Sequence, residues 1–240
     1  MTLEKPILFA CWPDRWQFRC MDNSVTPQTS SQSSTQRAYL ALRNDIIFGR
    51  IPPGQRLKID TLKESLDTGA SPVREALSLL TSDQLVDRID QRGFRVAATS
   101  REQFREILDL RCRLEELAVR DSIAHGLAGW EEALVLAHHY MVRARKTDLE
   151  TFETCHKEFH MVLLAGCKSP ILLRFCSQLY DLNVRYRYLA GKSKSYARRD
   201  VDAEHAAILD AAVNRETETL CTLLMEHYRN TGAFLAEQID

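Results

Sequence analysis

Ser71-Pro72-Val73-Arg74-Glu75-Ala76-Leu77-Ser78-Leu79-Leu80 is the stretch from which the rest of the chain can be placed. Ser71 suits an N-cap, Pro72 the first helical position, and Glu75 brings negative charge to the first turn. Val73, Ala76, Leu77 and Leu80 recur at helical spacing, so one face is apolar while Arg74 and Ser78 point away from it. Upstream, Ile59 to Leu66 forms a second short helix, with Asp67-Thr68-Gly69 turning between the two. Two short helices joined by such a turn form either a core helical hairpin or a helix-turn-helix, whose second helix offers its N-terminal residues to base edges.

The flanks decide between these. Arg37 to Phe48 is helical with Gly49 as its stop, Ile51-Pro52-Pro53-Gly54 is a turn, and Gln55 to Ile59 is extended. After the second helix, Val86 to Asp90 and Phe94 to Ala98 read as two strands around Gln91-Arg92-Gly93. A helix, a helical pair and a hairpin over residues 37–99 make a winged helix-turn-helix, with Arg92 on the wing. Charge has the matching sign. Residues 37–101 carry 11 Lys/Arg against 8 Asp/Glu, and residues 102–240 carry 18 against 22. Phosphate contacts favour the basic half.

Residues 1–36 differ in composition. Ser24 to Gln36 is a Ser/Thr/Gln tract with too little apolar surface to order itself, and is expected to be a flexible tail. Met21 is a second candidate start of translation. The first residues lack the basic start and apolar run of a signal peptide, and no apolar stretch approaches a membrane span. Seven cysteines without CxxC spacing fit reduced thiols in a cytosol. Cys112 and Cys155, among apolar neighbours, read as packing residues.

From Ser100 the period is 3.6 to the end. Expected helices run over 101–124, 130–145, 149–165, 170–189, 202–213 and 216–237, with a basic loop at 192–199. The fold class is therefore mainly α: a winged helix-turn-helix followed by an all-helical bundle over residues 100–240. Four histidines face into this bundle. His156 and His160 stand one turn apart on a stripe with Phe152, Phe159 and Leu163. His205 shares a face with Ile208 and Leu209, and His227 with Leu220, Leu223 and Leu224. A buried neutral imidazole needs a partner for its acceptor nitrogen, and one metal ion shared by four rings would satisfy all of them. Taken singly, each ring has the alternative of a hydrogen-bonded core histidine. His125, His138 and His139 read as solvated surface.

The blocks Ile47 to Leu57, Ser71 to Leu77 and Arg92 to Val96 resemble, in order and spacing, the DNA-binding domain of GntR-family bacterial transcription regulators. The resemblance implies a cytoplasmic homodimer on a near-palindromic double-stranded operator, with Ser71, Arg74, Arg92 and Gly93 contacting DNA. Ala70 stands where the family usually has Arg, and Asp60 replaces another often basic residue, so no operator sequence carries over. The rear helices resemble the FCD ligand-binding domain of the FadR subgroup. Many FCD domains hold a divalent metal with an Asp, a His four residues on and two later His. His160, His205 and His227 match the histidines, and His156 occupies the Asp position.

An all-imidazole set favours zinc or nickel over magnesium or calcium, and the lost negative charge favours an anionic ligand. Arg111 with Glu115 resembles the family's Arg-x-x-x-Glu, which implies that Arg111 holds the far end of a small carboxylate effector. Arg185 and Arg187 are further candidates, with solvated surface as their alternative. Leu42 to Ile47, Ala165 to Cys167 and Val184 to Tyr188 resemble glutarate-responsive members of the family, which implies glutarate or a similar dicarboxylate. Two rival readings remain: a purely structural histidine cluster, and a metal-dependent enzyme. The second lacks its base, because in His156-Lys157-Glu158-Phe159-His160 the glutamate is out of phase with HExxH.

Overall fold

The computed structural model describes residues 33–90, 92–189 and 200–236. Residues 1–32 of the tail expected over 1–36, the hairpin residue Gln91 and the expected basic loop at 192–199 lie outside them. In chain order the elements are α1 (Ser34–Ile47), β1 (Arg56–Leu57), α2 (Ile59–Ser65), α3 (Ala70–Ser82), β2 (Val86–Ile89), β3 (Gly93–Val96), α4 (Arg101–His125), α5 (Ala128–Ala144), α6 (Leu149–Leu163), α7 (Pro170–Leu189), α8 (Val201–Val213) and α9 (Thr217–Ala236).

The front of the chain is a three-helix unit closed by a small sheet. β3 is central, with β1 and β2 antiparallel on either side; Arg56 faces Arg95, and Val86 faces Val96. Leu57, Phe94, Val96 and Val86 turn inward against Leu42, Ile46, Val73, Ala76, Leu77 and Leu80. The alternation of β3, with Phe94 and Val96 buried and Arg95 exposed, is what a sheet covered on one side requires. Gly93 opens β3 at φ +89° and Gly49 leaves α1 at φ +71°, both in the left-handed region that favours glycine.

Two expectations need correction here. α1 begins at Ser34, not Arg37, because the Ser33 hydroxyl accepts the Gln36 N–H at 3.2 Å, so the end of the polar tract is helix rather than tail. α3 is capped by Gly69, not Ser71. Gly69 is extended and has no side chain to cap with, and helix begins at Ala70, so Ser71 and Pro72 lie inside the first turn, where a missing N–H costs nothing. The expected turn at Asp67-Thr68-Gly69 is present, with Asp67 in the left-handed region (φ +44°).

Behind this unit six helices pack as a bundle. α4 lies against α7 and α9, α5 against α6 and α8, and α8 against α9. Its core contains Val119, Leu134, Met141, Phe159, Leu163, Ile208, Leu220 and Leu224. Ser100 caps α4 and Asp148 caps α6 through side-chain acceptors, as their sequence positions suggest. α7, like α4, contributes to both halves. Leu182, Val184 and Tyr186 belong to the front core, together with Phe104 and Ile107 of α4.

Candidate metal centre and DNA-binding face

α6 supplies His156 and His160, α8 supplies His205 and α9 supplies His227. All four rings are buried, and one ligand nitrogen from each falls within 4.8 Å of the others. His156 Nε2 lies 3.0 Å from His205 Nε2 and 3.1 Å from His160 Nε2. Two nitrogens bound to one ion at about 2.0–2.1 Å stand about 2.9 Å apart at a right angle and about 3.4 Å apart in a tetrahedron. These two spacings lie in that range, while the set of four spreads to within 4.8 Å.

The outward nitrogens show which way the lone pairs point. Tyr228 donates its hydroxyl hydrogen to Glu115 and sits 3.0 Å from His160 Nδ1, so its oxygen is left to accept from that nitrogen. The Glu204 carboxylate is 2.7 Å from His227 Nδ1 and can only accept from it while ionised. Both rings therefore carry hydrogen on Nδ1, which in a neutral ring leaves Nε2 as the nitrogen with the lone pair. His156 Nδ1 lies 3.0 Å from the Tyr180 hydroxyl and 3.2 Å from Arg187 Nη1. His205 Nδ1 is buried without a hydrogen bond among the described residues.

Because His160 Nε2 is bare, one hydrogen on His156 Nε2 cannot serve both of its contacts, and a neutral cluster is left short of donors. A cation at the shared focus removes that shortage. Burial, reinforced by neighbouring charge, holds His156 and His160 well below the usual imidazole range, and burial followed by His227 pushes His205 down to about 2. All three are thus neutral and can donate lone pairs at neutral pH. The donor set fits a divalent transition metal.

A cavity beside these rings is lined by Arg111, Asn183, Arg187, Tyr228 and Thr231, with room for about one water molecule. Arg111 is buried, donates to Glu115 at 2.6 Å and to Asn183 at 3.2 Å, and lies over the rings of Tyr180 and Tyr228. Its Nη2 is buried and makes no hydrogen bond among the described residues. Arg187 also lines the cavity and donates to Glu153 at 2.9 Å. Arg185 does not line it. Two residues from Arg187 on a helix, Arg185 turns to the other side and donates to the Ala97 carbonyl, linking α7 to the front unit. Neither arginine is the solvated surface residue of the alternative reading.

Tyr180, Tyr228, Asn183 and Glu204 line or brace the site and were not picked out from the sequence. Tyr228 directly follows His227 and Glu204 directly precedes His205, and these adjacencies are the signal available in the chain. His125 and His139 are exposed, as expected. His138 is not simply surface. Its ring meets Phe159 edge-on at 5.5 Å, and its Nε2 is buried without a hydrogen bond among the described residues.

On the front unit, Ser71 and Arg74 are exposed at the N-terminal end of α3, and Arg92 and Gly93 are exposed at the hairpin. The neighbouring strands add Arg56 and Arg95, both exposed and directly opposite one another. Among the described residues no helix is long and apolar enough to cross a membrane.

Comparison with known proteins agrees with this layout. Residues 34–96 match the model for bacterial regulatory proteins of the gntR family, and residues 106–230 match the FCD domain. The chain is 35% identical over 88% of its length to an uncharacterized HTH-type transcriptional regulator, BphR, of Paraburkholderia xenovorans (strain LB400), of which 88% is covered. It is 31% identical over 79% of its length to the HTH-type transcriptional repressor GlaR of Escherichia coli (strain K12), of which 90% is covered. Among solved structures, E. coli McbR/YncC superposes with a TM-score of 0.76 at 23% identity, over 86% of this chain and 99% of that one. These relatives are transcription regulators rather than enzymes. With a helix-turn-helix unit in front and an FCD domain behind, the chain belongs to the GntR family of bacterial transcription regulators.

Proposed function

We propose that this regulator is a cytoplasmic homodimeric repressor whose grip on a near-palindromic operator is controlled by a small carboxylate at a metal site in the rear bundle. The observation that carries this reading is the convergence of His156, His160, His205 and His227, two of them held from outside so that Nε2 keeps the lone pair. A bound zinc or nickel ion would supply a Lewis-acidic anchor for a carboxylate oxygen. Arg111 offers its uncommitted Nη2 to the far end, and Arg187 adds positive charge across the cavity. With no carboxylate among the four donors, a dianion such as glutarate balances the ion's charge better than a neutral ligand does.

The cavity is too small for a dicarboxylate as it stands, so the ligand must select an arrangement in which the surrounding side chains have shifted. That requirement gives it different affinities for two arrangements, which control of the operator needs. On the front unit, Ser71 and Arg74 read base edges and phosphates while Arg92 and Gly93 of the wing follow the backbone. Support for a dimer comes from α4 and α7, packed together, which leave Leu110, Leu117, Ile171 and Phe175 exposed.

Metal analysis of protein purified without added chelator tests the site. About one zinc or nickel per chain is expected, lost in His160→Ala with the helical circular-dichroism signal retained. Stoichiometric metal in His160→Ala and in His227→Ala would exclude it.

A further inference from the structure

We infer that Asp181 is a positioning residue through which the histidine centre sets the placement of the front unit; this rests on the metal reading above. The Asp181 carboxylate is partly buried and takes charge from two directions. Arg43 of α1, in the front unit, pairs with Oδ2, and Lys157 of α6 donates to Oδ1 at 2.7 Å. Lys157 directly follows His156, so one helix turn carries both a ring of the centre and the ammonium that holds Asp181. Burial would raise the Asp181 carboxyl; Arg43 and Lys157 outweigh that and hold it below the usual carboxylate range. Within reach of this junction Tyr39 donates to Asp83 at 2.6 Å, which ties α1 to the end of α3.

α7 is built to pass a displacement across. Tyr180, Asn183 and Arg187, at i, i+3 and i+7, face the centre: Tyr180 lies 3.0 Å from His156 Nδ1, Asn183 accepts from Arg111, and Arg187 meets Glu153. Gln178, Asp181, Arg185 and Tyr188 face the front unit: Gln178 donates to the Ser82 carbonyl, Asp181 pairs with Arg43, Arg185 donates to the Ala97 carbonyl, and Tyr188 packs edge-on against Phe48 at 4.7 Å. Two opposite stripes of one rigid helix thus touch the two functional regions. Most of the front-side contacts are hydrogen bonds to backbone or ring packing, which tolerate sliding. The Arg43–Asp181–Lys157 junction is the one among those named that joins α1, α7 and α6 through charge, and removing one member of a partly buried ionic set leaves the others less well compensated.

The test is hydrogen exchange of full-length protein with and without one equivalent of zinc, with zinc content read by atomic spectroscopy on the same samples. In the wild type, zinc should slow exchange in Ser34–Ile47 by about fivefold or more, the lower end of ordinary coupling between sites. Asp181→Asn should still bind zinc but lose that slowing, and Asp181→Glu should restore part of it. Arg43→Gln gives an independent reading from the other side if Asp181→Asn folds poorly, and should behave as Asp181→Asn does. Zinc-bound Asp181→Asn or Arg43→Gln with the wild-type response would overturn the inference, as would zinc-bound wild type with no response in α1. Absence of bound zinc in the wild type would instead remove the metal reading beneath it.

Discussion

Tyr228→Phe deletes one oxygen, which both accepts from the His160 ring and donates to Glu115. Tyr228 and His160 are both essentially inaccessible to solvent, and phenylalanine keeps the ring that Arg111 lies over at 4.0 Å. What disappears is the acceptor 3.0 Å from His160 Nδ1, together with the donor to Glu115, whose loss falls on loaded and metal-free protein alike. In the metal-loaded form Nε2 is engaged, so the ring hydrogen must sit on Nδ1, where it is left buried without a partner. In the metal-free form the hydrogen can move to Nε2 and be shared with His156, 3.1 Å away. The penalty therefore falls mainly on the loaded state. Loss of such an outer partner weakens metal affinity about 10–100-fold, which is about 1.4–2.7 kcal/mol. Competition with a chromophoric chelator at pH 7.5 measures it, and thermal melting of the metal-free protein checks that the fold is intact. A zinc affinity within about twofold of wild type would refute the assignment, since loss of an orienting partner costs at least about tenfold.

Two further outcomes are expected. His205 is pushed down to about 2 in the folded metal-free chain, against about 6.5 when unfolded. The unfolded chain takes up a proton below about pH 6.5 that the folded chain refuses, so stability is complete above that pH and falls as pH drops toward 2. Going from pH 7.5 to 5.5 should cost about 1.4 kcal/mol from His205 alone, with His156 and His160 adding in the same direction; equal urea midpoints of chelated protein at the two pH values would contradict this. Arg74→Ala should cost about 1–3 kcal/mol of operator binding, and an unchanged gel-shift titration would remove Arg74 from the DNA-binding face.

Periodicity located every helix of the bundle to within a few residues because each buries one stripe, and a 3.6-residue stripe is written in the order of residues. The four histidines were legible for the same reason: each shares a stripe with leucine, isoleucine or phenylalanine. Their outer partners were not. Tyr180, Glu204 and Tyr228 reach the rings from other helices, and the crossing of α6, α7, α8 and α9 that brings them there has no local signature. Arg185 and Arg187 looked equivalent in the chain, although positions two apart on a helix lie on nearly opposite sides and only one could reach the cavity. The start of α3 was misplaced because Ser71 is the better capping residue by type. Gly69 occupies the cap instead, as the turn through left-handed Asp67 delivers an extended backbone there.

The central claim is that a carboxylate controls the hold on DNA through the histidine-bound ion. Operator affinity titrated with glutarate, in zinc-loaded and in chelated protein, tests it most directly. A change of about fivefold or more confined to the zinc-loaded form is the expected result. An equal change in both forms, or none in either across small dicarboxylates, would contradict the account.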